Sequence, residues 1–175
     1  LNEVESDAGV GDLDIGKKPD FIDWQEMQID PSWREITHVS VLTPNYLHCE
    51  MARAMPDKIV LCEKPLGLSA KEVEGLGQNV FTVLQLRHHP EVKRLKEKLT
   101  GRHQVEMTIR VKRDHNYWTS WKGEQQKSGG LLFNLGIHYF DLLIHLFGEE
   151  YEIRRSAHSP ARAEGKIHFE TAVVD

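Results

Sequence analysis

Cysteine is scarce: the 175-residue chain has two, Cys49 and Cys62, in apolar surroundings and without the spaced partners of a zinc module or a disulfide scaffold. A reducing, cytoplasmic setting is expected. Positive balance is missing too, since 22 Lys and Arg face 27 Asp and Glu for a net charge of -5, the wrong sign for gripping polyphosphate along a whole surface. Nucleic acid is not expected as a partner. The most apolar stretch, residues 131–147, is interrupted by Asn134, His138, Asp141 and His145 and reads as too short to span a bilayer. No membrane partner is expected. The opening residues Leu1-Asn2-Glu3-Val4-Glu5 have neither the basic start nor the apolar middle of a signal peptide. A Gly-x-Gly-x-x-Gly between a strand and a helix is also absent, and Gly9-Val10-Gly11 does not replace it, because no strand pattern precedes and no helix pattern follows.

What is present suffices for a folded core: 39% of residues are hydrophobic and 28% charged, far from the composition of disordered chains. The length fits one ordinary domain or pieces of two. Residues 21–27 predict a short amphipathic helix ended by Asp30-Pro31, with a second around Trp33. Residues 38–43 form a β-branched run closed by Pro44-Asn45, and residues 58–63 an apolar run closed by Lys64-Pro65, the pattern of buried parallel strands that end in loops. A helix over residues 46–55 separates them. Ser69 with Glu72 three residues on makes a capping box for a further helix. The helical part before the next strand, residues 79–85, is short for a parallel crossover. Residues 91–99 predict a solvated helix and residues 105–111, which alternate apolar and polar, a half-buried strand. Strand, loop and helix in repeated order are α/β grammar, and the architecture changes after residue 86.

Two constellations carry chemistry. Within the apolar helix that Ser128-Gly129-Gly130 opens, Asn134, His138, Asp141 and His145 are spaced four, three and four apart, so at about 100° per residue they form one polar seam. Each seam group left without a partner costs on the order of 1 to 3 kcal/mol. The seam therefore faces polar groups, and three readings stay open: core histidines bonded to backbone carbonyls, a metal set of His138, Asp141 and His145, or a catalytic histidine facing a polar substrate. The second constellation is Thr43-Pro44-Asn45-Tyr46-Leu47-His48 and Glu63-Lys64-Pro65-Leu66, each at the C-terminal end of an expected parallel strand, where open α/β sheets bind ligands. A lysine leaving an apolar strand beside a pocket can polarise or deprotonate a hydroxyl, since burial lowers its pKa.

Thr43-Pro44-Asn45-x-x-His48, Glu63-Lys64-Pro65-Leu66 and Gly129-Gly130-x-x-x-Asn134-x-Gly136-x-His138-x-x-Asp141 together resemble the glucose-fructose oxidoreductase, inositol dehydrogenase and rhizopine-catabolism (Gfo/Idh/MocA) family over residues 21–148. The resemblance implies an α/β fold: a Rossmann dinucleotide-binding domain, partial here over residues 1–86, then an α+β domain with an open, mainly antiparallel sheet over residues 87–175. The chain is expected to be the middle of a longer protein. Gln85-Leu86-Arg87-x-His89-Pro90, Tyr117-Trp118-x-Ser120-Trp121-Lys122-Gly123 and Asn134, where most of the family has Asp, resemble its UDP-N-acetyl-2-amino-2-deoxyglucuronate 3-dehydrogenase subgroup.

Carried over position by position, the resemblance makes Lys64 and His138 the catalytic pair, with the choice of base open, and no metal. Thr43, Pro44, Asn45, His48, Glu63 and Lys64 are implied to line the cofactor site for NAD, with NADP left open because the glycine-rich βα unit is missing. Arg87, Tyr117, Ser120, Lys122, Asn134 and His138 are implied to hold a nucleotide sugar. Arg87 suits a uronate carboxylate through its planar fork, against the alternative of a surface ion pair. The implied reaction is oxidation of the C3 hydroxyl of UDP-N-acetylglucosaminuronic acid in surface-polysaccharide synthesis, with 2-oxoglutarate as a possible cofactor-recycling partner and a homodimer or homotetramer as the assembly. The competing expectations are a family dehydrogenase for another sugar or inositol, and a non-catalytic dinucleotide sensor of the same fold.

Overall fold

The computed structural model describes residues 24–159 and 162–174, so the loop expected over residues 1–20 and the start of the helix expected at Phe21 lie outside them. Helix α1, Trp24–Ile29, ends before Asp30, whose carboxylate accepts from Ser32 N at 2.9 Å and caps a 3-10 turn over Pro31–Arg34. Strand β1, His38–Val41, and strand β2, Ile59–Cys62, pair in parallel, with α2, His48–Arg53, between them. The helix expected over residues 46–55 is thus split, because Pro44 cannot donate and the chain leaves it through a 3-10 turn, Asn45–Leu47. Strand β3, Val80–Thr82, adds parallel to β2 after a crossover whose one helix, α3, Ala70–Val73, has four residues. Ser69 caps α3 as the sequence predicts, its Oγ accepting from Glu72 N, while the Glu72 carboxylate turns back onto Leu68 N at 2.8 Å.

This first sheet has the order β1-β2-β3 and is buried on one side only. Val41, Val60 and Cys62 pack with Met51, Ala52 and Met55, whereas Ile59, Leu61 and Phe81 on the opposite face are exposed. The expectation of strands buried on both faces is corrected here: β2 alternates, since α2 packs against the Val60 and Cys62 side and no described helix covers the other.

Helix α4, Pro90–Lys98, leads to β4, His103–Val105, which pairs in parallel with β7, Ala172–Val174. Strands β5, Tyr151–Ser159, and β6, Arg162–Phe169, form an antiparallel hairpin, and the open second sheet has the order β4-β7-β6-β5. Of the strand expected over residues 105–111 only Val105 lies in β4, where it pairs with Val174. Residues 106–114 run on without regular structure to α5, His115–Thr119. All strands of the first sheet precede residue 86 and all strands of the second follow it.

Between the sheets run α6, Gln125–Ser128, a π-helical stretch Leu132–Gly136, and α7, Ile137–Phe147. The run from Gln125 to Phe147, 23 residues with a mean hydropathy of 1.4 in its most apolar window, is longer and more uniformly apolar than the sequence reading allowed, and passes a length-and-composition test for crossing a membrane. A core helix passes the same test. Gly129 and Gly130, at φ 76° and 72°, break the run, and the five π-helical and eleven α-helical residues after them cover roughly 24 Å at about 1.5 Å each. That is short of a hydrocarbon core about 30 Å thick. Leu143 packs with Phe169, Ala172 and Val174 of the second sheet.

Candidate active site

The polar seam points inward. Asn134 and Asp141 are buried, His138 and His145 half-buried, while Phe133 on the same helical run is exposed. Each seam residue meets different surroundings, because a different element packs against each turn. Asn134 donates from Nδ2 to the Tyr117 hydroxyl at 2.8 Å, and its backbone carbonyl, within the π-helical stretch, accepts from Lys64 Nζ at 2.7 Å. Asp141 is forked by Arg87, whose Nε lies 2.7 and 2.8 Å from the two carboxylate oxygens and whose Nη2 donates to Oδ1 as well. His145 lines a cavity together with Arg87, Lys96 and His103. His138 has a buried Nδ1 with no hydrogen-bond partner. Among the described residues no three His, Cys, Asp or Glu side chains form a metal-binding group, and both Asp141 oxygens are held by Arg87.

Lys64 arrives from the other constellation. Val41 and Cys62 are paired in the parallel register, so Thr43 and Lys64, each two residues further, leave adjacent strands side by side. The two loops are tied from behind by His48, which is fully buried with Nδ1 2.7 Å from the Pro65 carbonyl oxygen and Nε2 2.8 Å from that of Thr43. Cys49 adds a weaker bond from Sγ to the Leu66 carbonyl at 3.1 Å. Asn45, also buried, donates from Nδ2 to the Ser128 carbonyl at 3.0 Å and so fastens the first loop to the start of the seam helix. The Thr43 hydroxyl turns inward to Met51 Sδ. Of the residues implied for a cofactor, His48 and Asn45 are thus structural ties of the loops, while Lys64 and Glu63 stand at the loop edge.

Electrostatics set the two central groups. Burial pushes the Lys64 ammonium below the usual lysine range; Glu63 opposes this, and Arg113 and Lys122 add to it. Burial likewise holds His138 below the ordinary imidazole value, reinforced by Lys64 and opposed by Glu63 and Asp141. At neutral pH, therefore, His138 is an uncharged imidazole able to take a proton.

The implied substrate residues fall into two places. Tyr117, Ser120 and Lys122 line one cavity with Lys112, Arg113 and Asn116, and Tyr117 connects it to Asn134. Arg87 lies apart from that cavity, its Nε edge committed to Asp141, an ion pair with a buried carboxylate and not the surface pair expected as the alternative. Residues the sequence did not single out for the site include Ser128, fully buried, whose carbonyl anchors Asn45 and whose hydroxyl donates to the Glu124 carbonyl at 2.9 Å. Its place directly before two glycines was the available signal. Lys112 and Arg113 gave none, since a short basic run in an irregular segment looks like any solvated surface.

Two relatives, one of them in two complexes, bear on this site. The WlbA (WbpB) dehydrogenase of Thermus thermophilus, in its complex with NAD and α-ketoglutarate, is 34% identical and aligns over 83% of this chain and 55% of its own, with a TM-score of 0.71. The same enzyme's complex with NAD and UDP-GlcNAcA aligns at 38% identity over 78% of this chain and 48% of its own, TM-score 0.70. A levoglucosan dehydrogenase of Pseudarthrobacter phenanthrenivorans is 28% identical over 144 residues, 73% of this chain and 36% of its own. The chain thus spans about half the length of the solved structures it matches. Residues 101–174 match the C-terminal alpha/beta domain of the oxidoreductase family, and the mixed α/β fold with open sheets is that of the same group. Over residues 101–174, therefore, the chain is similar to the C-terminal domain of the Gfo/Idh/MocA oxidoreductases.

Proposed function

We propose that this protein is an NAD-dependent dehydrogenase that oxidises the C3 hydroxyl of UDP-N-acetylglucosaminuronic acid to a ketone, a cytoplasmic step of surface-polysaccharide synthesis carried out by a homodimer or homotetramer. The observation that carries the reading is the meeting of a half-buried lysine, anchored on the Asn134 carbonyl, with an uncharged histidine whose Nδ1 lacks a partner. Support comes from the Thermus thermophilus relative, seen with NAD and UDP-GlcNAcA and with NAD and α-ketoglutarate.

The residues fit the nicotinamide end of a dinucleotide. Thr43, Pro44, Asn45 and Glu63 lie past the carboxyl ends of adjacent parallel strands, the place open α/β sheets offer such ligands. The bound cofactor supplies the acceptor for the hydride that leaves C3. His138 takes the hydroxyl proton as the C3–H bond breaks, so that the products are a ketone, reduced cofactor and one proton. Lys64 stays a donor, its ammonium shared between the Asn134 carbonyl and the reacting oxygen, where it stabilises the charge that develops. Tyr117, through Asn134, fixes the helix turn that holds Lys64.

The test is nicotinamide absorbance after UDP-N-acetylglucosaminuronic acid is added to protein and NAD, then after 2-oxoglutarate is added. Rising absorbance supports the reading, and its decay with the oxoacid supports cofactor recycling. A flat signal with this substrate but a rise with levoglucosan or an inositol overturns the substrate in favour of another sugar, which the levoglucosan dehydrogenase relative makes the second choice. Lys64→Met and His138→Ala separate enzyme from sensor: both are expected to bind NADH normally and lose turnover.

A further inference from the structure

We propose that Asn45 and Ser128 are a positioning pair for the reaction: the bond from Asn45 Nδ2 to the Ser128 carbonyl holds the seam helix against the first loop and so sets the spacing of His138 from Lys64. This inference rests on the reading above that His138 and Lys64 are the reacting pair. Two bonds carry the loops of the first sheet onto the helical run, Lys64 Nζ to the Asn134 carbonyl at 2.7 Å and Asn45 Nδ2 to the Ser128 carbonyl at 3.0 Å. The first cannot hold the helix through a turnover, because its ammonium is shared with the reacting oxygen. The second involves neither reacting group and is buried on both sides, Asn45 at 4% exposure and Ser128 at 0%. A buried amide that loses its acceptor is left unsatisfied, so this bond stays closed.

The place of the bond matters as much as its burial. Gly129 and Gly130 follow Ser128 at φ 76° and 72°, and Asn134 and His138 come after them on one helical run. The glycine pair has the backbone freedom to be the pivot of that run, so the run needs a fixed point before it. Ser128 braces the pivot on both sides: its Oγ donates to the Glu124 carbonyl at 2.9 Å and accepts from Gly130 N at 3.0 Å. The loop of Asn45 is held in turn, since His48 ties the Thr43 carbonyl to the Pro65 carbonyl and with it the loop that carries Lys64. Lys64 and His138 are thus joined through Pro65, His48, Thr43, Asn45 and Ser128. A small error along that path is costly, because a base works only within hydrogen-bond reach of its proton, about 2.6 to 3.2 Å.

Two readouts test the pair, one of them without substrate. Burial holds His138 low; of the charged groups that bear on it, Lys64 depresses it further, while Glu63 from the same loop and Asp141 from its own helix pull the other way. Ring-proton NMR titration of His138 is run on the wild type, Asn45→Leu and Ser128→Ala, each with and without Lys64→Met. Lys64→Met should raise the His138 midpoint in the wild type. In Asn45→Leu the midpoint should already stand higher, and Lys64→Met should add less than half of that rise. Ser128→Ala keeps the carbonyl and loses the brace, so it should act in the same direction by less, and it carries the test if Asn45→Leu does not fold. Initial rates with NAD and UDP-N-acetylglucosaminuronic acid should show kcat at least tenfold lower in Asn45→Leu, with both KM values within threefold. Asn79→Leu is the control, because Asn79 Nδ2 makes the same kind of bond, to the Met55 and Lys58 carbonyls at 3.1 and 2.7 Å, inside the part of the chain that builds the first sheet. It should leave kcat and His138 unchanged. A full Lys64 effect on His138 in both variants overturns the proposal, as does an equal change in Asn79→Leu, or a loss confined to the KM for NAD, which would make Asn45 a cofactor contact. If the wild type forms no NADH with this sugar while the titrations behave as expected, the positioning pair stands and the reaction proposed above falls.

Discussion

Lys64 Nζ lies 2.7 Å from the backbone carbonyl oxygen of Asn134, 70 positions further along the chain. This bond joins a loop of the first sheet to the helix that packs on the second. It also places the ammonium where it acts on His138, and the first prediction concerns that coupling.

His138 is held low by burial and then by Lys64, while Glu63 and Asp141 pull the other way. Because the neutral ring is the active form, kcat/KM should fall on acidification with a midpoint below the ordinary value of about 6.5. Lys64→Met removes a depressing charge, so the His138 imidazole should titrate at higher pH than in the wild type. Glu63→Gln removes an opposing charge, so it should titrate lower. Ring-proton NMR titration of the three proteins checks both signs, and shifts in the same direction would refute the coupling.

Arg87 and Asp141 make the second prediction. Asp141 is buried and its carboxylate depends on Arg87, itself 39% exposed. Arg87→Ala should cost about 2 to 3 kcal/mol, somewhat less than the loss of one partner from a fully buried pair, because water can reach the site from the Arg87 side. Arg87→Ala with Asp141→Leu should cost less than the sum of the two single changes. Urea unfolding of the four proteins measures the difference.

Gly129 and Gly130 share a left-handed backbone but not the space around it. A Cβ on Gly129 would lie 2.4 Å from Phe133 Cβ, whereas one on Gly130 meets nothing nearer than Gln125 Cγ at 3.8 Å. Gly130→Ala should therefore cost the backbone strain alone, roughly 1 to 2 kcal/mol. Gly129→Ala should cost clearly more, and the drop in Tm read by calorimetry should rank the two in that order.

His48 supplies the fourth prediction. It is fully buried between the Pro65 and Thr43 carbonyls. His48→Phe keeps the ring and leaves carbonyl groups without their partner, at about 1 to 3 kcal/mol. Under the cofactor reading it should also weaken NADH binding, measured by fluorescence titration, since both loops lose their tie.

Much of the site was legible because its signals are local. The β-branched runs before Pro44 and Pro65 announce parallel strands, and the four, three, four spacing of Asn134, His138, Asp141 and His145 announces one polar face. Both depend only on backbone period, which neighbours in the chain fix. The strand expected over residues 105–111, of which only Val105 lies in β4, shows the opposite case: alternation describes a half-buried surface but does not supply a partner strand.

By itself, then, the sequence determined which residue types lie at the ends of which strands and on which helix face, since proline, glycine and apolar spacing act over a few residues. Tertiary structure alone decided what each of them meets. Only the packing of the helical run between the two sheets gives Lys64 the Asn134 carbonyl, gives Asp141 the fork of Arg87, and gathers Lys112, Arg113 and Lys122 around one groove. Those contacts join residues far apart in the chain, and their energies depend on burial, which is a property of the folded molecule.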